Sequence, residues 1–296
     1  VGEFSNTRFG EFKAATHTDL WHYSRCTLQL TVSSAPKGLF DKPASERMFD
    51  GQRVLVTGGA KGLGRAIAER LAALGAEVLI GDIDSEAGAN VSAVARSNGK
   101  VIEFHHLDVT NRSDWDRLTV TLANLGGLDM LVNNAGILIC EPIATMSEET
   151  LQRTFDVNVK GVLLGLQTAL PLMTRRKQGR VVTIASTGGF VGSAGGYAAY
   201  SASKAAVLLM SKCAAIEWAD QDIRFNCICP SAIPTSMAES LTETDWAARA
   251  EASLLNRTAR IGDVVDSVIF LLSEQSAYIT GTEIIIDGGT TAQTAR

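Results

Sequence analysis

Val54-Leu55-Val56-Thr57-Gly58-Gly59-Ala60-Lys61-Gly62-Leu63-Gly64 is the stretch that decides the fold of this chain. A short β-branched run passes directly into a glycine-rich turn. The turn passes into an apolar stripe at helical spacing, Leu63, Ile67, Leu71 and Leu74, which Gly75 ends. Strand, glycine loop and helix in that order build a phosphate cradle. The glycines permit a tight turn and let the backbone approach a pyrophosphate, while the helix start offers free N–H groups and the positive end of its dipole. A glycine run alone is a weak signal; between a strand and a helix it becomes specific. Gly58, Lys61, Gly62, Leu63 and Gly64 are therefore expected to touch a dinucleotide.

Outward from this stretch the same alternation repeats. Val78-Leu79-Ile80, Val101-Ile102, Met130-Leu131-Val132, Val181 to Ile184, Arg224 to Ile228 and Glu283 to Ile286 read as further strands, with helical spacing between them. Strands that are apolar throughout and separated by helices imply a parallel sheet covered on both faces. The expected fold is a doubly wound α/β domain with a seven-stranded parallel sheet. It spans residues 49–296. Residues 1–48 lack this periodicity and read as an N-terminal extension, flexible or derived in part from an expression vector.

The second strand ends at Asp82, 18 residues beyond Gly64, near the spacing expected of an acid that holds the ribose hydroxyls of NAD. Such a carboxylate would repel the 2′-phosphate of NADP. Lys61, in the glycine loop, is a cation that could meet that phosphate. The two signals conflict, and Asp82 is given more weight because it must be desolvated beside the ribose, whereas a lysine can swing into water.

Tyr200 and Lys204 are four residues apart in a segment rich in Ala, Leu and Val, so they share a helix face. On spacing alone such a pair is common. The strand Val181 to Ile184 runs to Ser186, and the carboxyl ends of parallel strands face the ligand crevice. Asn158, among Phe155, Val157, Val159 and Val162, follows a helix start at Ser147-Glu148-Glu149 and needs partners if buried.

From Gly51 to Gly289 the chain resembles the short-chain dehydrogenase/reductase family. The matching pieces are Thr57 to Gly64, Asp108-Val109, Asn133-Asn134-Ala135-Gly136, Asn158, Ser186, Tyr200 with Lys204, Pro230 through Thr235, and Asp287-Gly288-Gly289. The resemblance implies a single Rossmann-type domain, a nicotinamide cofactor and a homotetramer or homodimer. It makes Tyr200 the general acid/base, with Lys204 and the positive nicotinamide ring stabilising the tyrosinate. Ser186, with Thr187 as a weaker alternative, would hold the substrate oxygen. Asn158 would hold a water linking Lys204 to solvent. Further cofactor contacts are implied at Ile83, Asp108, Val109, Asn133, Asn134, Ala135, Gly136, Pro230, Ile233 and Thr235. Ser231 departs from the glycine usual in the family.

The substrate pocket is expected among Ile137 to Cys140, Thr187 to Val191, Ser193 to Tyr197 and Ser231 to Leu255, a mixed and mostly apolar set. Its acids and arginines make no net positive patch, so a neutral secondary alcohol or ketone fits best. An NADP-dependent 3-oxoacyl reductase is the alternative, and a nucleotide-binding regulator without chemistry a more remote one. Arg175-Arg176-Lys177 resembles a carrier-protein docking patch but reads as a solvated helix end. A net charge of −5 over 296 residues gives nucleic-acid binding no electrostatic support. The apolar stretch Gly161 to Met173 is too short to cross a membrane. Five cysteines without a CxxC pair suggest a reducing, cytoplasmic setting, and the four histidines show no metal spacing.

Overall fold

Seven apolar runs line up as one parallel sheet in a computed structural model that describes residues 48–174, 178–239 and 241–293. The first half runs β1 (Arg53–Thr57), α1 (Gly62–Ala73), β2 (Glu77–Asp82), α2 (Ser85–Ser97), β3 (Ile102–His106), α3 (Arg112–Asn124) and β4 (Met130–Asn133). The second runs α4 (Glu148–Phe155), α5 (Gly161–Thr174), β5 (Gly179–Ile184), α6 (Ala198–Glu217), β6 (Ile223–Pro230), α7 (Glu243–Ala252), α8 (Ile261–Leu272) and β7 (Glu283–Ile286). The strand order is β3-β2-β1-β4-β5-β6-β7. The order reverses between β1 and β4, and open α/β sheets bind ligands in the crevice at that reversal.

Alternate residues of each strand point to opposite faces, and both faces are covered. Val54, Val56, Val78, Ile80, Met130 and Val132 pack against Leu63, Ile67 and Leu71 of α1 and Val264, Val268 and Leu272 of α8. Leu55, Leu79, Leu131, Val181 and Phe225 pack against Trp115, Leu118 and Leu122 of α3, Leu170 and Met173 of α5, and Val207 and Leu208 of α6. Cys227 and Cys229 are free thiols buried on this second face, two residues apart on β6.

Residues 1–47 and the basic run at 175–177 lie outside the described residues. Met48, placed with the extension by the sequence boundary, packs against the core beside the buried Phe49. Among the described residues no helix is long and apolar enough to cross a membrane. Leu209 and Ile216 on α6 and Leu163 on α5 are exposed.

The approach of α1 to the turn after β1 depends on an absent side chain. A Cβ on Gly64 would sit 2.1 Å from the Gly58 carbonyl oxygen and 2.5 Å from Asn134 Nδ2. Gly64→Ala should therefore destabilise the domain by about 1–3 kcal/mol, the usual cost of overpacking, and lower its melting temperature. Gly192→Ala, where an added Cβ meets nothing within 4 Å, should leave it nearly unchanged. Equal melting of the two variants would contradict this packing.

Candidate active site

The glycine turn after β1 is held from both sides. Gly58, in the left-handed region at φ +65°, donates its N–H to the Gly81 carbonyl at 2.7 Å. The Asn134 amide Nδ2 donates to the carbonyls of Thr57 (2.9 Å) and Gly58 (3.1 Å). The Thr57 hydroxyl accepts from the backbone N–H of Asn134 (3.0 Å) and Ala135 (3.1 Å). The two strands at the reversal are thus stitched together by Thr57 and Asn134. Helix α1 then starts at Gly62 with no side chain capping it and no acid in its first turn. An uncapped helix start lined by Gly62, Leu63 and Gly64 leaves the site of an anionic group open.

From this point a cleft of about 420 Å³ runs along the carboxyl ends of the strands. Every expected cofactor residue from the glycine loop lines it, as do Asp82, Ile83, Asp108, Val109, Asn134, Ala135, Gly136, Pro230, Ile233 and Thr235. Asn133 does not. Its buried side chain turns to the other face, where a Cβ on Gly165 of α5 would come within 2.6 Å of its Oδ1. The expectation that Asn133 passes close to the ribose is thus corrected by strand alternation.

At one end of the cleft Asp82 accepts from Ala60 N–H through Oδ2 and from Asp84 N–H through Oδ1, both at 3.0 Å. These two donors fix the carboxylate and leave lone pairs for ribose hydroxyls. Asp108 accepts from the Thr110 N–H (2.9 Å) and hydroxyl (2.8 Å). Burial opposes its ionisation, but the two Thr110 bonds and the Arg153 charge hold its carboxyl below the usual range. Arg153, which sequence spacing does not single out, lines the same cleft.

At the other end Ser186, Tyr200 and Lys204 come together. Ser186 follows β5 and accepts from the Gly188 N–H at 3.1 Å. The reason for glycine at the fourth position of Ser186-Thr187-Gly188-Gly189 is close packing. A Cβ on Gly189 would sit 2.9 Å from Leu208 Cδ1 and 3.1 Å from the Lys204 carbonyl carbon. The turn can lie on α6 only without it. Thr187 also lines the cleft, but Ser186 carries the hydrogen bond to the Tyr200 hydroxyl. Burial pushes the Tyr200 phenol above its ordinary value, and that Ser186 bond is the opposing influence.

Lys204 is buried, with Nζ 5.7 Å from the Tyr200 ring centroid and donating to the Ile184 carbonyl at 2.8 Å. Burial pulls its ammonium down to about 8. The neighbouring Cys227 and Cys229 thiols are themselves pushed up by burial, to about 11 and about 12.

Asn158 lies behind the cleft wall rather than on it. The helix expected to carry it ends at Phe155, and a π-helical turn, Asp156–Lys160, holds it instead. Wide turns of this kind recur at functional sites. Its Oδ1 accepts from Ile137 N–H (2.8 Å), and its Nδ2 donates to the Ile137 carbonyl (2.9 Å) and to Ser203 Oγ (3.0 Å). The Ser203 hydroxyl donates onward to the Tyr200 carbonyl at 2.7 Å. Ser203 has no motif of its own. A methyl at Gly136 would lie 3.2 Å from Asn158 Oδ1 and 3.5 Å from Lys204 Nζ. The glycine keeps open the space in which those two groups face each other.

Residues 58–291 match the family model described as enoyl-(acyl carrier protein) reductase. Cyclopentanol dehydrogenase of Comamonas testosteroni is 40% identical over 242 residues, covering 81% of this chain and 96% of that protein. Xanthoxin dehydrogenase of Arabidopsis thaliana is 36% identical over 263 residues, covering 83% and 92%. Among solved structures, a gluconate 5-dehydrogenase from Burkholderia cenocepacia in complex with NADP and tartrate superposes with a TM-score of 0.81 at 26% identity, covering 85% and 99%.

The buried lysine has a measurable consequence. Unfolded, it titrates near 10.5; folded, near 8. Between those values the unfolded chain holds more protons, so this group makes stability rise with pH, and at neutral pH it costs stability. Lys204→Met should be more stable than the parent at pH 7 by roughly 1–3 kcal/mol, with the gap closing between pH 8 and 10. Cys227 and Cys229 act oppositely above pH 9, so the difference between the two proteins in urea titrations is the readout. A constant gap across that range would show that Lys204 is not held at a depressed value.

Proposed function

Because the chain belongs to the short-chain dehydrogenase/reductase family, we propose that it transfers a hydride between NAD and the carbinol carbon of a secondary alcohol, or returns it to the matching ketone. One observation carries this reading: Ser186, Tyr200 and Lys204 meet at one end of the cleft that Asp82 and the uncapped start of α1 line at the other. The geometry supports a bound dinucleotide, with a diphosphate at Gly62, Leu63 and Gly64 and ribose hydroxyls at Asp82. When bound, the oxidised nicotinamide ring supplies a hydride-accepting carbon and a positive charge.

In oxidation Tyr200 Oη removes the hydroxyl proton of the alcohol. Ser186 Oγ holds the same oxygen and steadies the negative charge that develops on it. The Lys204 ammonium favours the tyrosinate. Asn158, through Ile137 and Ser203, fixes the floor of the site and the start of α6. Asn158 Oδ1 and Lys204 Nζ both border the space beside Gly136, and a water held there would carry the proton outward. In reduction the same groups act in reverse. The relatives named for cyclopentanol and xanthoxin support a neutral substrate. The NADP-dependent alternative draws support from the neighbour bound to NADP and from Lys61.

Tyr200→Phe removes the ionisable hydroxyl and keeps the ring. Oxidation of secondary alcohols should fall by at least about 10²-fold, the lower range for a lost general base, while nucleotide binding followed by fluorescence survives. The parent rate should rise with pH as the phenol ionises, and the variant should lose that rise. An unchanged rate and pH profile in the variant would remove Tyr200 from the mechanism.

A further inference from the structure

The loop after β1 and the loop after β2 meet through their charges. Lys61 Nζ lies 2.6 Å from Asp84 Oδ2, with Lys61 63% and Asp84 35% exposed. Asp84 is not free to follow a moving lysine. Its Oδ1 caps α2 by accepting the Ala87 N–H at 3.0 Å, and its own N–H is bound to Asp82 Oδ1. Asp82 and Glu239 add further negative potential at Lys61, whose ammonium is held above its ordinary value by the Asp84 hydrogen bond first and the Asp84 charge second. Lys61 lines the cleft and Asp84 does not. The one cation of the glycine loop is therefore turned toward an anchored carboxylate, at the end of the cleft where Asp82 stands.

We propose that Asp84 sets cofactor specificity through Lys61: it occupies the ammonium that would otherwise meet a 2′-phosphate, so discrimination against NADP comes from a withheld cation as well as from the Asp82 carboxylate. Asp84 is a positioning residue in this scheme and touches no ligand itself. A phosphomonoester carries close to two negative charges near neutrality. With Lys61 paired it meets Asp82 uncompensated; with Lys61 released it finds a partner. The proposal rests on the reading of the cleft as a dinucleotide site.

The test uses the full chain and two probes that differ only at the 2′ position, 5′-AMP and adenosine 2′,5′-bisphosphate, measured by calorimetry. Asp84→Asn keeps an oxygen to cap α2, since Asn is a good cap, and removes the charge that holds Lys61. It should bind the bisphosphate about three- to tenfold more tightly than the parent, the scale of one exposed charge pair, and change 5′-AMP binding less than about twofold. In the Asp84→Asn, Lys61→Ala double variant that gain should vanish. Equal changes for the two probes would reduce Asp84 to a structural cap. A gain that persists without Lys61 would mean that Asp84 acts by direct repulsion, and either result overturns the proposal. Failure of both probes to bind the parent would overturn the dinucleotide reading, and this proposal with it.

Discussion

Two hydrogen bonds from the Asn134 amide, to the carbonyls of Thr57 and Gly58, tie the loop after β4 to the turn after β1, where the strand order reverses. Everything that makes a cleft follows from that closure. The Thr57 hydroxyl takes the next two N–H groups of the β4 loop, so the loop leaves the sheet along a fixed path. Gly64 has no side chain to push α1 away, so the helix start lies directly over the turn. Buried polar groups of this kind carry high stakes, because each one left unpaired costs far more than its bond contributes.

The end of the cleft at Ser186, Tyr200 and Lys204 is built on the opposite principle. A lysine enclosed by protein is destabilising, and Lys204 is enclosed. The chain tolerates it because Ile184 offers a carbonyl and because the surrounding sheet and α6 are closely packed. Tyr200 is likewise held as a neutral phenol in the protein alone. Burial thus displaces the two groups in opposite senses relative to neutral pH: the titration of Lys204 moves toward it and that of Tyr200 moves away from it.

Much of this was legible in the residues. The seven strands were visible because parallel strands buried on both faces appear as continuous apolar runs. Gly58, Lys61 to Gly64 and Asp82 were marked by their strand-loop-helix context and spacing, Ser186, Tyr200 and Lys204 by the family resemblance, and all of them line the cleft. What escaped was tertiary. The π-helical turn at Asp156–Lys160 has no hydrophobic signature distinct from the helices flanking it. Ser203 acquires its part only when Asn158 arrives from 45 residues away. Asn133 and Asn134 look alike in sequence, and the alternation of β4 sends one to the core and the other to the cleft. The conflict between Lys61 and Asp82 was weighed in favour of Asp82 without Asp84, the partner of Lys61, which belongs to a different loop and has no motif to mark it.

Hydride transfer itself is the central claim, and isotope transfer tests it most directly. The protein is incubated with NAD and a panel of neutral secondary alcohols, cyclopentanol among them, each carrying deuterium at the carbinol carbon, and the reduced nucleotide is analysed by mass spectrometry. The account predicts NADH carrying the deuterium from at least one alcohol, together with the matching ketone. Reduced nucleotide without the label, or no reduced nucleotide from any alcohol in the panel, would contradict it.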